Sequence, residues 1–257
     1  MTAIHETAAL GFERAADVYE RARPGYPAEA VGYIVDSLRI DAASTVLDLA
    51  AGTGKFTREL AGTGARLVAV EPVGAMRERF SAVLPDVPVL DGTAEAIPLQ
   101  DGSVDAVTVA QAFHWFDSAR AAAEIHRVLK PVGGCAVVWN VRDTSFDWVK
   151  RVTEMIDLYD TAKRIPRHRD GGWRAGVEGD GRFRSAGRRE FIHGQSMTSE
   201  GLVERVASTS FIAALDPNER QRVLDRVRAL TVEHPDLRGR RGFDHPYITE
   251  VYIFARA

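Results

Sequence analysis

A single cysteine, Cys135, stands among 257 residues. One thiol cannot close an intramolecular disulfide or build a cysteine-rich metal cluster, and its apolar surroundings point to a buried, inert side chain. No apolar run approaches the roughly 20 residues that a membrane helix needs, and MTAIHETAALGFERAADVYERARPGYP at the N-terminus lacks an apolar stretch of signal-peptide length. The expectation is a cytoplasmic protein without membrane attachment. A dominant charge is also missing: 33 Lys and Arg against 36 Asp and Glu leave a net −3, with a pI near 6.2. That balance argues against a partner held through nucleic-acid phosphates. Internal repeats and tails of like charge are absent as well.

What the chain does have is enough apolar sequence, 45% of its residues, for one substantial core. Residues 28–140 alternate between helical spacing and short β-branched runs. Helical spacing appears in 28-AEAVGYIVDSL-38, 55–61, 73-VGAMRERFSAV-83 and 118-SARAAAEIHRVLK-130. Strands are expected at 45-TVLDLA-50, 66-RLVAVE-71, 87-VPVL-90, 104-VDAVTVA-110 and 135-CAVVWN-140. Apolar strands that alternate with helices and lack period-2 patterning predict a parallel sheet covered on both faces. Right-handed crossovers make it doubly wound, with ligands beyond the carboxyl ends of the strands. After Asn140 the spacing predicts helices over 146–159, from Ser199 and from Pro217. The last carries a start signal in Asp216, Pro217 and Glu219. Between them, 163-KRIPRHRDGGWRAGVEGDGRFRSAGRR-189 is rich in Arg and Gly and reads as a solvated, mobile connection, or as a cationic lid. The strand 247-YITEVYIFAR-256 ends the chain.

The densest signal is 46-VLDLAAGTGKFTREL-60, a strand, a Gly-rich turn and a helix start. Small residues at Ala50, Gly52 and Gly54 let the backbone approach a ligand closely. Asp48 can accept a hydrogen bond from a ligand ammonium or from the turn's own amides. The second strand ends in Glu71, 19 residues after Gly52 (71 − 52), where a carboxylate can accept both hydroxyls of a ribose. A nicotinamide dinucleotide needs a third small residue in this turn, and Thr57 stands there instead.

The pattern D-x-A-x-G-x-G from Asp48 to Gly54 resembles motif I of the class I S-adenosylmethionine-dependent methyltransferases, with Ala50 in place of the commoner first glycine. Further segments are similar in the family's order. Glu71, followed by Pro72, resembles the ribose-binding acid. The stretch 91-DGTAEAIPLQDGSVDAV-107 resembles the segment around the adenine, and 125-IHRVLKPVGG-134 the turn before the fifth strand. Thr93 replaces a frequent adenine-binding Asp, which moves that recognition to the backbone amides of Ala94 and Glu95. Val132 is an extra residue expected to alter only its own connection. The resemblance covers roughly 12–140, and 19-YERARPGYP-27, HWFD, 139-WNVRD-143 and the terminal PYITEVY are similar to trans-aconitate methyltransferase-like proteins of the small-molecule branch.

The resemblance implies an α/β, doubly wound, mostly parallel seven-stranded sheet (a Rossmann-like methyltransferase fold) with an antiparallel C-terminal strand and a helical or loop cap. It implies one domain over 1–257, with a cofactor-binding core at 28–140 and an N-terminal cap segment at 1–27. Substrate-side helices and the Arg/Gly-rich loop occupy 141–235, and the final strand 246–257. The implied cofactor is S-adenosyl-L-methionine, released as S-adenosyl-L-homocysteine, with no metal. The implied partner is a small-molecule acceptor at O, N, C or S, with no nucleic acid or membrane, in a monomer or homodimer.

Gln111 is expected at the methionine or adenine end of the cofactor, as matching positions are in the family. Tyr19, Arg23 and Tyr26 resemble a segment that closes over the cofactor; an N-terminal helix docked by Pro24 and Pro27 is the plainer alternative. His114 is the candidate general base, against ordinary packing between Phe113 and Trp115. Trp115 and Phe116 either wall the acceptor or cover the next helix. Asn140 can position a substrate oxygen, and Arg142 can clamp a carboxylate, unless it pairs with Asp143 to fix the loop. The competing functions are methylation of RNA or protein, and cofactor binding without catalysis. The first lacks an Asn/Asp-Pro-Pro-Tyr-type motif after the fourth strand.

Overall fold

The computed structural model describes residues 23–160 and 171–257. Helix α1 (Ala28–Leu38) leads to strand β1 (Thr45–Leu49), whose last four residues are buried, as a β-branched and Leu-rich run at a sheet centre demands. Then follow α2 (Lys55–Leu60), β2 (Arg66–Val70), α3 (Gly74–Val83), β3 (Val89–Leu90) and β4 (Val104–Ala110). A single 3₁₀ turn, Phe113–Trp115, separates β4 from α4 (Ser118–Val128). The sheet order is β3-β2-β1-β4, and each neighbouring pair is parallel. The order reverses at β1 and β4, so the carboxyl ends of these two strands border a crevice.

The second part of the chain completes seven strands. Strand β5 (Leu129–Arg142) is parallel to β4. Helices α5 (Asp147–Asp157) and α6 (Gly172–Glu178) precede β6 (Phe183–Met197). Helices α7 (Ser199–Ala207), α8 (Ser210–Ala213) and α9 (Pro217–Glu233) lead to β7 (Phe243–Arg256). The full order is β3-β2-β1-β4-β5-β7-β6, mostly parallel with antiparallel C-terminal strands. The start signal of α9 works as its chemistry requires, since Asp216 Oδ1 accepts from the Asn218 and Glu219 amides. No described helix is long and apolar enough to cross a membrane.

Three elements differ from their sequence expectations. Strand β5 begins at Leu129 and not at Cys135. Val104 pairs with Leu129 and Ala106 with Gly134, so two steps on β4 (106 − 104) face five on β5 (134 − 129). The surplus bulges outward with Val132 97% exposed, and regular pairing then runs to Ala110 and Val138. The described part of the Arg/Gly-rich segment, 171–189, is not a solvated connection: it forms α6 and the start of β6. Helix α6 is held by Trp173 and Val177, both buried and four residues apart. Strand β6 is an edge strand whose alternating polar side chains are exposed, so ladder hydrogen bonds define it more than apolar content.

By contact density the described residues form two compact units. One takes in 26–140, 171–191 and 249–257; the other takes in 23–25, 141–160 and 192–248. The first is cored by β1, β4, β5 and β7 through Val46, Ala106, Ala136, Val138, Val251 and Ile253. The second is cored by Trp148, Val152 and Ile156 of α5 against Leu202 and Val206 of α7 and Val227 of α9.

Candidate active site

The turn after β1 is shaped by three left-handed residues, Ala50 (φ 56°), Gly52 (φ 59°) and Gly54 (φ 84°). Ala50 bears a strain that glycine would not, and such outliers concentrate at sites of function. Asp48 is the last residue but one of β1, 2% exposed. Its Oδ2 accepts from Thr57 Oγ1 at 2.6 Å and its Oδ1 from Thr108 Oγ1 at 3.1 Å. The carboxylate therefore ties β1 to α2 and to β4. Burial pushes its pKa up to about 6, against the lowering effect of those two hydroxyls.

Glu71, just past β2, reaches back across this turn. Its Oε2 accepts from the Gly52 amide and its Oε1 from the Val73 amide, each at 2.9 Å. Burial raises its pKa to about 7; the two amides and Arg77 oppose the rise, and Asp48 adds to it. Arg77 donates to the Glu71 carbonyl at 2.8 Å and to Asp91 at 3.0 Å, bracing the strand end. Pro72, half-buried, holds Glu71 and Val73 in the geometry of this turn.

The loop after β3 closes through the Ala96 amide donating to the Thr93 carbonyl at 3.2 Å. Ala94 is buried. Glu95 Oε1 accepts from the Asp117 amide at 2.9 Å, which ties the loop to the start of α4. Gln111, the first residue past β4, is left-handed at φ 60°, and its amide donates to the Val138 carbonyl at 2.8 Å. Two adjacent strands, β1 and β4, thus both leave the sheet through a left-handed non-glycine residue.

Beyond Gln111 the aromatic residues form a continuous cluster. The His114 ring lies 4.7 Å from Trp115 and 5.1 Å from Trp139. Phe113 contacts Phe116 at 5.1 Å and Trp173 of α6 at 5.6 Å, and Trp173 reaches Trp139 and Tyr252. Helix α6 packs close to α4: a Cβ on Gly176 would lie 2.4 Å from Ser118 Cβ. Tyr26 is edge-on to Phe56 of α2 at 4.9 Å, and so packs on the motif's helix.

Asn140 Oδ1 accepts from Thr249 Oγ1 at 2.6 Å, which links β5 to β7. The expected Arg142–Asp143 pair is not formed. Asp143 Oδ1 accepts from the amide and hydroxyl of Ser145, closing a local turn, and its amide donates to the Pro246 carbonyl. Arg23 Nη2 donates to the Ser208 carbonyl at 3.0 Å. Arg23 and Arg142 belong to one compact unit; Asp48, Glu71, Gln111 and His114 belong to the other. Tyr19 lies outside the described residues. Among the described residues no group of three or more His, Cys, Asp or Glu is placed to hold a metal ion.

A methyltransferase domain model matches residues 47–137, which spans β1, β2, β4 and most of β5. Uncharacterized methyltransferases of Mycobacterium bovis and Mycobacterium tuberculosis are 41% identical over 250 residues, covering 97% of this chain and 97% of theirs. The chain belongs to the class I S-adenosylmethionine-dependent methyltransferases. A solved structure from Anaeromyxobacter dehalogenans shares the methyltransferase's fold at TM-score 0.65 and 22% identity, covering 91% of this chain and 97% of that one. So does geranyl diphosphate C-methyltransferase from Streptomyces coelicolor A3(2), solved with S-adenosyl-L-homocysteine, at TM-score 0.51 and 14% identity; the match covers 90% of this chain and 77% of that one.

Several residues of the methyltransferase site escaped the sequence reading. Thr57 and Thr108 lie in a helix and a strand and carry no motif, yet they occupy both oxygens of Asp48. Trp173 stands alone in a polar, Arg-rich stretch; its only sequence signal is its spacing from Val177.

The raised carboxyls make stability pH-dependent. Asp48 and Glu71 hold their protons more tightly folded than unfolded. Their contribution favours folding below about pH 4 and is lost as pH rises through about 6 for Asp48 and about 7 for Glu71. Calorimetric Tm is expected to fall across that window by an amount worth a few kcal/mol in all (on the order of one pKa unit per 1.4 kcal/mol). Glu71→Gln is expected to flatten the part between pH 5 and 7; an unchanged slope there counts against the burial of this carboxyl.

Proposed function

We propose that this methyltransferase binds S-adenosyl-L-methionine at the carboxyl ends of β1, β2 and β4 and passes its methyl group to a small-molecule acceptor. The observation that carries the reading is Glu71, buried at the end of β2 and pinned by the Gly52 and Val73 amides. Two fixed backbone donors hold both carboxylate oxygens at the strand end, which is preorganised to accept a ribose diol. Gly52 presents an open side: a Cβ there would meet nothing within 4 Å. The residues present therefore fit the cofactor.

When bound, that cofactor supplies a methyl group on a sulfonium, whose charge disappears on transfer. The protein's task is alignment of the acceptor and exclusion of water. Aromatic faces suit a disappearing cation, and Trp115, Phe116 and His114 supply them. Gln111, with its backbone fixed on Val138, is assigned to the cofactor. The loop 93–95 is assigned to the adenine, with backbone amides of Ala94 and Glu95 as the reading groups. The near-neutral charge balance supports a small acceptor over RNA. Isothermal titration with S-adenosyl-L-homocysteine tests the reading, followed by methyl transfer from labelled cofactor to a metabolite extract. Absence of binding sinks it; label found only in protein or RNA overturns the small-molecule acceptor.

His114 is assigned to the acceptor wall and not to proton transfer, because its ring packs at a tilt between those of Trp115 and Trp139, at 4.7 and 5.1 Å. His114→Phe keeps a ring and is expected to retain turnover within about tenfold, whereas loss of a general base costs about 10²–10⁴. A larger loss accompanied by a changed pH–rate profile reassigns His114 as the base.

A further inference from the structure

Helix α6 comes from the Arg/Gly-rich segment, far in sequence from the cofactor motif, yet it packs against the residues that follow β4. All the residues of this contact belong to one compact unit. Trp173 of α6 is 5% exposed, and two rows of rings lead from it. One row runs to Trp139 at 5.9 Å and on to His114 at 5.1 Å. The other runs to Phe113 at 5.6 Å and on to Phe116 at 5.1 Å. His114 and Phe116 are half-buried, whereas Phe113, Trp139 and Trp173 behind them are buried. Both partly exposed rings are thus backed by the same indole.

Trp173 is itself fixed. Its ring is edge-on to Tyr252 at 5.1 Å and to Phe254 at 6.2 Å, both on β7. The Arg174 guanidinium lies over the Tyr252 ring at 5.4 Å and meets Glu178 at 3.0 Å, one turn along α6. Close approach to α4 depends on Gly176, where a Cβ would overlap the Ser118 side chain and lie 2.8 Å from the Ser118 carbonyl carbon. Ser118 opens α4, two residues after Phe116. Rings in a close-packed interior have few alternative tilts. Removal of a buried indole leaves a void that its neighbours fill only in part. The neighbours here are Trp139 and Phe113, and a change in their tilt is passed to His114 and Phe116.

We propose that Trp173 is a positioning residue for methyl transfer, setting the tilt of the wall formed by His114 and Phe116 and thereby which acceptors the site aligns. This rests on the reading above that these rings face a small-molecule acceptor. Trp173 acts through Trp139 and Phe113 and does not itself touch the acceptor. In-line displacement is sensitive to alignment, so a small change in the wall is read out in turnover before it is read out in cofactor binding. The Arg/Gly-rich segment then contributes to selectivity as a fixed buttress behind the wall and not as a cationic cover.

The test compares variants of the full chain by calorimetric titration with S-adenosyl-L-homocysteine and by label transfer to a metabolite extract at increasing dilution. The NMR resonances of the His114 ring, identified by their loss in His114→Phe, report the wall directly. Trp173→Leu is expected to move those resonances and to lower kcat/KM for the extract about tenfold or more. Its S-adenosyl-L-homocysteine affinity is expected to stay within about twofold of the parent. Trp173→Phe keeps a ring and is expected to retain kcat/KM within about threefold. Val177 is buried on the same helix and carries no ring. Val177→Ala is expected to lower Tm yet to leave the His114 resonances and kcat/KM in place, which a purely structural role of α6 does not allow. Gly176→Ala keeps every ring but forces α6 away from Ser118; it is expected to reproduce the changes of Trp173→Leu and serves if that variant fails to fold. The proposal is overturned by His114 resonances that stay in place in Trp173→Leu, by an unchanged kcat/KM, by an equal loss in Val177→Ala, or by a cofactor affinity that falls in step with turnover. Failure of S-adenosyl-L-homocysteine to bind the parent chain defeats the cofactor reading instead, and failure to label the extract defeats the small-molecule reading. In either case the His114 resonances decide by themselves whether Trp173 sets the wall.

Discussion

Glu71→Ala is expected to weaken binding of S-adenosyl-L-homocysteine by about a hundredfold or more, with the protein still folded. Two hydrogen bonds from ribose hydroxyls to an ionised carboxylate are each worth about 1.5–3 kcal/mol, and about 1.4 kcal/mol is a factor of ten. In the folded chain Glu71 is already positioned by the Gly52 and Val73 amides at 2.9 Å, so little ordering opposes those bonds. Its removal leaves two amides short of a partner and also removes a carboxyl that burial disfavours, and these effects oppose each other in stability. Because that carboxyl has its pKa near 7, affinity is expected to rise with pH through neutrality in the parent and to be flat in Glu71→Gln. Calorimetric titration across pH reads both; an affinity within threefold of the parent in Glu71→Ala removes this residue from the cofactor site. Asp48 acts through others. Its loss leaves the buried Thr57 and Thr108 hydroxyls without their acceptor, so Asp48→Ala is expected to lower Tm first and affinity through the displaced turn.

Gly54→Ala is expected to lower stability by about 3 kcal/mol, or roughly 10 °C in Tm for a chain of this size. At φ 84° a side chain costs about 1–2 kcal/mol in backbone strain. The added Cβ would lie 2.7 Å from Leu84 Cδ1 and 2.9 Å from two atoms of the Phe80 ring, which is fully buried and cannot swing away. Gly52→Ala separates the two roles of the turn. Its φ of 59° brings similar strain, yet its Cβ would point into open space. Gly52→Ala is therefore expected to cost about 1 kcal/mol of stability and to penalise cofactor affinity more heavily than Gly54→Ala does. Thermal melts paired with titrations of both variants decide it: equal affinities for the two would refute a cofactor on the Gly52 side.

Much of the first 140 residues was legible in the sequence because each local signal agreed with the fold. Expected and observed bounds coincide for α1 at 28–38 and for β4 at 104–110, and differ by a residue or so for β1, β2 and α2. The Asp216–Pro217–Glu219 cap was readable for the same reason, since all its chemistry lies within four residues. The misreadings have a shared cause. Strand β6 sits at a sheet edge with polar side chains facing solvent, so its apolar content is too low to announce it. The β5 bulge is a matter of register, which one strand's sequence does not state. The Arg142–Asp143 pair looked natural as neighbours, but Asp143 lies just past the end of β5 and its carboxylate accepts from the amide and hydroxyl of Ser145.

The sequence by itself determined the family, the parallel core and the address of Asp48, Gly52, Gly54 and Glu71, because a strand, a tight turn and a helix are local objects with local residue requirements. Tertiary structure decided what those residues do. It turned Asp48 inward onto Thr57 and Thr108, set the His114 ring against Trp115 and Trp139, and buried Arg205 with its Nε on the Tyr247 hydroxyl. Partners separated by up to 60 positions, as Thr108 is from Asp48, are chosen by packing and desolvation across the whole fold, and neither leaves a pattern in the neighbouring letters.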